Sequence, residues 1–252
     1  MKRPLFLMIV FGMLSALLVF FLIYPLLGLF YGVGMEKLIK VLQEREVYTS
    51  IWLTFKLSFF AVCFVLLTGV PLGYLIARYE FRGKVLLESL IDIPVMVPHT
   101  AAGIALLMAF GKGLLGLDVV DTPVGIMIAM MFLSAPFLIN AAKEGFRKLD
   151  VRYEHVARTL GASPFQLFFS VLLPQVRNDI VNGALMMWSR GIGEFGAVVI
   201  IAYHPMVAPV LIYDRFTSYG LPYSAPVAAV MISLSAVVFL LIRLLNGNKR
   251  AF

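Results

Sequence analysis

Arg190 and Glu194 stand four residues apart in an otherwise apolar stretch, Ser189-Arg-Gly-Ile-Gly-Glu-Phe-Gly-Ala-Val-Val-Ile-Ile-Ala202. On a continuous helix that spacing puts a cation and an anion on one face, where they can pair. A charge at the centre of a bilayer costs about 2.5–3.5 kcal/mol on insertion scales. Such a pair therefore either orients its helix against neighbours or faces a wet cavity through which an ion passes. Gly191, Gly193 and Gly196 permit close helix approach or a bend. Pro94 and Pro98 interrupt another apolar run. Proline removes a helix hydrogen bond, and the freed carbonyls need a cavity or neighbouring protein. Such breaks line transport pathways, although they also serve simply to shape helix packing. Arg190, Gly193, Glu194, Pro94 and Pro98 are the candidate pathway or gate residues.

The groups for other chemistry are missing from the sequence. It contains no Gly-x-x-x-x-Gly-Lys-Ser/Thr loop, no His-Glu-x-x-His and no Gly-x-Ser-x-Gly. His99, His155 and His204 are far apart in the chain. We expect no catalysis, no metal and no cofactor bound by the chain itself.

The elements that hold these charges are read from composition. Of 252 residues, 61% are hydrophobic and 14% charged, against about 45–50% and about 25% in a soluble domain. Mean hydropathy is +0.95. The bilayer is the expected solvent. The net charge of +7 then reflects cytoplasmic Lys and Arg rather than nucleic-acid binding. Cys63 has no second cysteine to pair with and reads as a small packing residue.

Crossing a bilayer takes about 20 apolar residues. After Arg3 the chain runs 32 residues without a charge, too long for a cleaved leader's apolar region, which is about 7–15 residues. We expect an all-α membrane protein of one domain, residues 1–252, with six spans at about 5–30, 55–78, 86–110, 123–142, 180–202 and 224–242. Pro136, Pro222 and Pro226 should bend or break further helices. With the N-terminus inside, 14 of the 21 Lys and Arg fall on inner segments. Only Lys37, Lys40, Arg45, Lys112 and Arg215 fall on outer ones, and Lys56 and Arg190 lie within spans. By the positive-inside rule both termini are cytoplasmic. Residues 143–177 then form the longest inner loop.

That loop has its own chemistry. Asp150 to Gly161 reads as a short helix, with Asp150 as N-cap and Gly161 as the left-handed residue that ends it. Tyr153, Val156 and Leu160 form an apolar stripe, while Arg152, His155, Arg158 and Thr159 face elsewhere. Ser163-Pro164 starts a new segment. Residues 165–173 are too short to cross and should lie along the surface or lead into the fifth span. A short cytoplasmic helix with an exposed apolar stripe calls for a partner.

The run HVARTLGASPFQLFFSVLLP resembles the loop motif of ABC-transporter permease subunits: Glu-Ala-Ala, three residues, Gly, nine residues, Ile, one residue, Leu-Pro. Its fixed positions fall on His155, Val156, Ala157, Gly161, Val171, Leu173 and Pro174. His155 replaces the usual Glu, and Val156 the usual Ala; Glu154 lies one residue early. The stretch around Arg190 and Glu194 looks like the fifth span of molybdate/tungstate and sulfate permeases. The resemblance implies a type I ABC importer permease with six membrane helices and a cytoplasmic coupling helix. It implies docking of Arg152, Glu154, His155, Val156, Ala157, Arg158, Gly161 and Ser163 on a separate ATPase subunit, present in two copies, that binds ATP and Mg. It implies a second permease copy as homodimer partner and an extracytoplasmic oxyanion-binding protein. The implied cargo is a tetrahedral oxyanion, molybdate or tungstate, with sulfate or thiosulfate as the alternative. A self-contained secondary transporter would explain the broken helices but not the loop, and a membrane enzyme lacks a catalytic constellation.

Overall fold

The computed structural model describes residues 5–111 and 118–247. Of the charges tallied above, Lys2, Arg3, Lys112, Lys249, Arg250 and the side chain of Arg243 lie outside what is described. The described residues are helical, with no strand among them. The chain divides into two compact units, Met1–Tyr48 with Leu211–Phe252, and Thr49–Val210.

The first unit holds α1 (Leu5–Val33), the short amphipathic α2 (Met35–Leu42) and α12 (Leu221–Gly247). Gly34, at φ 73°, separates α1 from α2, a left-handed turn that glycine makes without strain. Arg215, on α11 (Ala208–Tyr219), sits 2.7 Å from Glu44 and 2.8 Å from Glu46. Burial works against its charge, and the hydrogen bonds it donates to these two carboxylates more than offset that, raising its pKa.

The second unit carries the candidate residues. α3 (Arg45–Arg78) begins ten residues before the expected span and runs 34 residues to the expected inner end. The expected third span is not one helix. It consists of α4 (Lys84–Met96) and α5 (His99–Phe110), bent by 115° at the break. Val97, which precedes Pro98, is extended at ψ 138°, because the proline ring disfavours helical backbone one residue before it. Pro94, by contrast, stays inside α4. α6 (Pro123–Lys148) starts on a Thr122 cap, whose hydroxyl accepts the Gly125 N–H at 3.2 Å, with Pro123 in the first turn.

After α7 (Arg152–Thr159), the chain restarts at Ser163 with α8 (Pro164–Gln166). It continues through a π-helical turn, Leu167–Leu172, into α9 (Leu173–Ile192). Residues 165–173 thus lead into the fifth helix. That helix stops ten residues short of the expected 202, and only the short α10 (Val198–Ile201) follows. Four described helices are long and apolar enough to cross a membrane, and α4–α5 makes a fifth if the pair is one span. α9 has the length but carries Arg177, Asp179 and Arg190.

α9 lies along α6 because both present small residues there. A Cβ on Gly183 would stand 2.5 Å from Ala141 Cβ and 3.2 Å from Leu138 Cα. A Cβ on Gly145 would stand 2.9 Å from Asp179 Cβ. Small residues let membrane helices approach backbone to backbone, where dispersion contacts do the holding. A Cβ on Gly191 or Gly193 would make ordinary contacts only, at 3.5 Å or more and 3.8 Å or more. Gly183→Ala should therefore destabilise by about 1–3 kcal/mol through overpacking. Gly193→Ala should leave the thermal midpoint of the detergent-purified protein close to native. Equal midpoints for the two variants would contradict this packing.

Candidate functional site

Two groups of candidate residues sit apart in the second unit. The first surrounds α7. Asp150 accepts the Arg152 N–H at 2.9 Å. At the other end Gly161 has φ +83°. Its N–H donates to the Arg158 carbonyl and that of Ala162 to the Ala157 carbonyl, both at 3.0 Å. This is the paired closure that a left-handed residue permits. Ser163 and Gln166 form a reciprocal cap, with the Ser163 N–H donating to the Gln166 side chain at 2.9 Å.

α7 is pinned from one side only. Ala157 packs in the core with Leu167 and Leu172. Glu154 is 5% exposed and lies 2.5 Å from Arg78 at the end of α3. Arg78 also donates to the Leu149 carbonyl at 3.1 Å, and Arg158 reaches Glu154 at 3.4 Å. Arg152, His155, Val156, Arg158, Gly161 and Ser163 are exposed. Leu160, at 82% exposure, and Val156, at 58%, present the apolar stripe outward. Glu154 thus faces the chain's interior, and the position where the motif usually has Glu, occupied here by His155, faces out.

The second group joins the two helix breaks. Arg190 and Glu194 do not form the expected direct pair. α9 ends at Ile192, so Glu194 is no longer on the helix face of Arg190. His99, the first residue of α5, lies between them. Its Nδ1 is 2.9 Å from a Glu194 carboxylate oxygen, and its Nε2 is 2.6 Å from the Arg190 guanidinium. Glu194 is 2% exposed and also accepts the Ala197 N–H at 3.0 Å. A Cβ on Gly196 would stand 2.6 Å from His99 Cβ, so glycine there lets the broken segment close on the ring. Arg190 and Gly193 are exposed, as is Pro98, while Pro94 is buried. His99 itself escaped sequence reasoning. Its partners lie 91 and 95 residues away, and only the Pro98 break beside it hinted at its place.

α4 is tied to α6 by a further set of polar contacts. Asn140 donates to Asp92 at 2.7 Å, and Arg147 donates to Glu88 at 2.8 Å. Asp92, Pro136, Asn140 and Glu144 help line a cavity of about 450 Å³ whose walls are otherwise largely apolar.

The Arg78–Glu154 pair has side chains only 9% and 7% exposed. Removing one charge should leave the other buried and cost about 3–5 kcal/mol. Arg78→Gln or Glu154→Gln should therefore lower the unfolding midpoint markedly. Arg78→Met together with Glu154→Leu should bring it back towards native. A double variant as unstable as the sum of the singles would show that the pair is not coupled.

Known proteins resemble this chain in sequence and in fold. Residues 69–250 match the family described as binding-protein-dependent transport system inner membrane component. The molybdate/tungstate transport system permease protein WtpB of Thermococcus kodakarensis is 41% identical over 96% of this chain and 96% of its own. The sulfate transport system permease protein CysT of Synechococcus elongatus is 32% identical over 77% of this chain and 74% of its own. Among solved structures, a chain of a bacterial ABC transporter involved in the import of the acidic polysaccharide alginate superposes with a TM-score of 0.68 at 20% identity. That match covers 100% of this chain and 99% of the other, and it gives the fold as that of a type I ABC importer permease. The chain therefore belongs to the inner membrane components of binding-protein-dependent transport systems, a family of multi-pass permeases.

Proposed function

We propose that residues 1–252 act as one permease domain of an ATP-driven importer whose cargo is a tetrahedral oxyanion, molybdate or tungstate. The observation that carries this reading is α7. It is a short helix closed at both ends, anchored inward by Glu154 and Ala157, that turns Val156 and Leu160 outward. A helix so presented suits the groove of an ATPase subunit. Two ATPase copies, one on each permease of a homodimer, would then move the two α7 helices together. ATP favours one arrangement of the assembly by binding it more tightly, and the pathway alternates between its two openings. ATP and Mg stay on the partner, and the permease catalyses nothing itself. Both termini lie in the cytoplasm.

The 41% identical WtpB relative supports molybdate or tungstate as cargo. The CysT relative, more distant at 32% identity, keeps sulfate as the second reading. An extracytoplasmic binding protein delivers the anion. Arg190, Gly193 and Glu194, with Pro94 and the break at Pro98, lie along or gate the pathway, and α7 with Gly161 and Ser163 forms the docking element.

The test is reconstitution of the permease with its ATPase and binding protein in proteoliposomes. Molybdate or tungstate, and not sulfate, should drive uptake that requires ATP. Val156→Glu or Leu160→Glu on the exposed stripe should abolish ATPase co-purification while the permease keeps its melting temperature. Uptake that persists without any ATPase would sink the reading.

A further inference from the structure

The contact chain Glu194–His99–Arg190 has a direction that donor chemistry dictates. A guanidinium carries only N–H donors. The His99 Nε2 at 2.6 Å from Arg190 must therefore offer its lone pair. The ring's proton then sits on Nδ1 and is donated to Glu194 at 2.9 Å. His99 is thus a neutral imidazole between an anion and a cation.

The two ends of this chain differ. Glu194 is fixed, with 2% exposure and the Ala197 N–H on its carboxylate. Arg190 is exposed, and among the described residues no carboxylate pairs with it. Of its five N–H donors, one meets His99, and the residue is exposed. Had α9 continued past Ile192, Glu194 would lie one turn from Arg190 and could quench it. The break at Gly193 turns Glu194 away to His99, and Gly196 leaves room for the ring between the two segments.

We propose that His99 is the positioning residue that presents Arg190 to the oxyanion. It holds the guanidinium from behind through one acceptor and keeps Glu194 from pairing with it. The remaining N–H groups are left to meet two oxygens of a tetrahedral dianion, the planar fork that suits such anions. This inference rests on the oxyanion-permease reading above.

The test uses the whole complex of permease, ATPase and binding protein in proteoliposomes. The binding protein is saturating and loaded with molybdate, and the readout is molybdate moved per ATP hydrolysed. Arg190→Gln should lower that ratio by roughly tenfold or more, the scale of one lost charge-assisted hydrogen bond. His99→Asn keeps a donor for Glu194 but does not reach Arg190, and it should lower the ratio similarly. His99→Gln carries an amide oxygen to the place of Nε2, and it should restore the ratio to within about threefold of native, as a retained acceptor requires. If the Asn and Gln variants lose melting temperature and transport together and alike, His99 is only a structural pin and the proposal is overturned. An Arg190→Gln complex that transports as the native one does also overturns it, while ATP-driven molybdate uptake leaves the permease reading standing. A native complex that moves neither molybdate nor tungstate overturns that reading, and this proposal with it.

Discussion

A buried carboxylate has to be answered by a buried cation, and in this chain that requirement sets where α7 lies. Glu154 is almost fully enclosed, and its partner is the last residue of a 34-residue membrane helix. Desolvating both ions is expensive, and the cost is recovered only at short range with good geometry. A shift of α7 that left Arg78 behind would strand two charges at once. Arg78 also holds the Leu149 carbonyl just before α7, so one guanidinium grips the helix and its approach. Close by, Tyr74, Phe146 and Phe168 form a ring cluster with centroids 5.2–5.9 Å apart. It ties α3, α6 and the π-helical turn together. α7 is thus tied to α3 and, through the ring cluster, to α6, and is not held on a loose loop.

The same reasoning in the membrane gives a different outcome. Arg190 and Glu194 are the right types at the right spacing to neutralise each other. The fold prevents it by ending the helix between them and inserting a neutral ring. Breaks in α4–α5 and after α9 meet at that ring. Irregular backbone at membrane depth is tolerated where it is enclosed by protein or lines a cavity. The buried Glu194 meets the first condition, and the contact chain ends at the exposed Arg190.

Much of this was legible in the residues. The extent of α7, its left-handed end at Gly161, the restart at Ser163-Pro164 and the outward stripe all follow from local chemistry, because each is decided by neighbours within a few positions. The proline break in the third span was legible for the same reason, though its 115° bend was not. Three things could not be read locally. The inward face of Glu154 depends on Arg78, 76 positions earlier. The partition of Arg190 and Glu194 depends on His99. The glycines that matter for close approach are Gly183, Gly145 and Gly196, which became identifiable only once their neighbours across the packing were known. The helices α2 and α11 were missed because the segments holding them were read only as outer segments between spans.

The π-helical turn at Leu167–Leu172 gives the loop motif a geometric meaning. From Pro164 to Ile192 the chain runs through α8 and the π-helical turn into α9 without a loop in between, so residue count there is an angle. Each residue of helix turns the chain by about 100°, and the wider π turn takes up part of one residue's rotation. The spacing from the Ser163 cap to Pro174 therefore works as a phase setting. It turns Gly183 towards α6 and Arg190 towards His99 once Gly161 has set α7, and thereby keys two distant surfaces to one another by rotation.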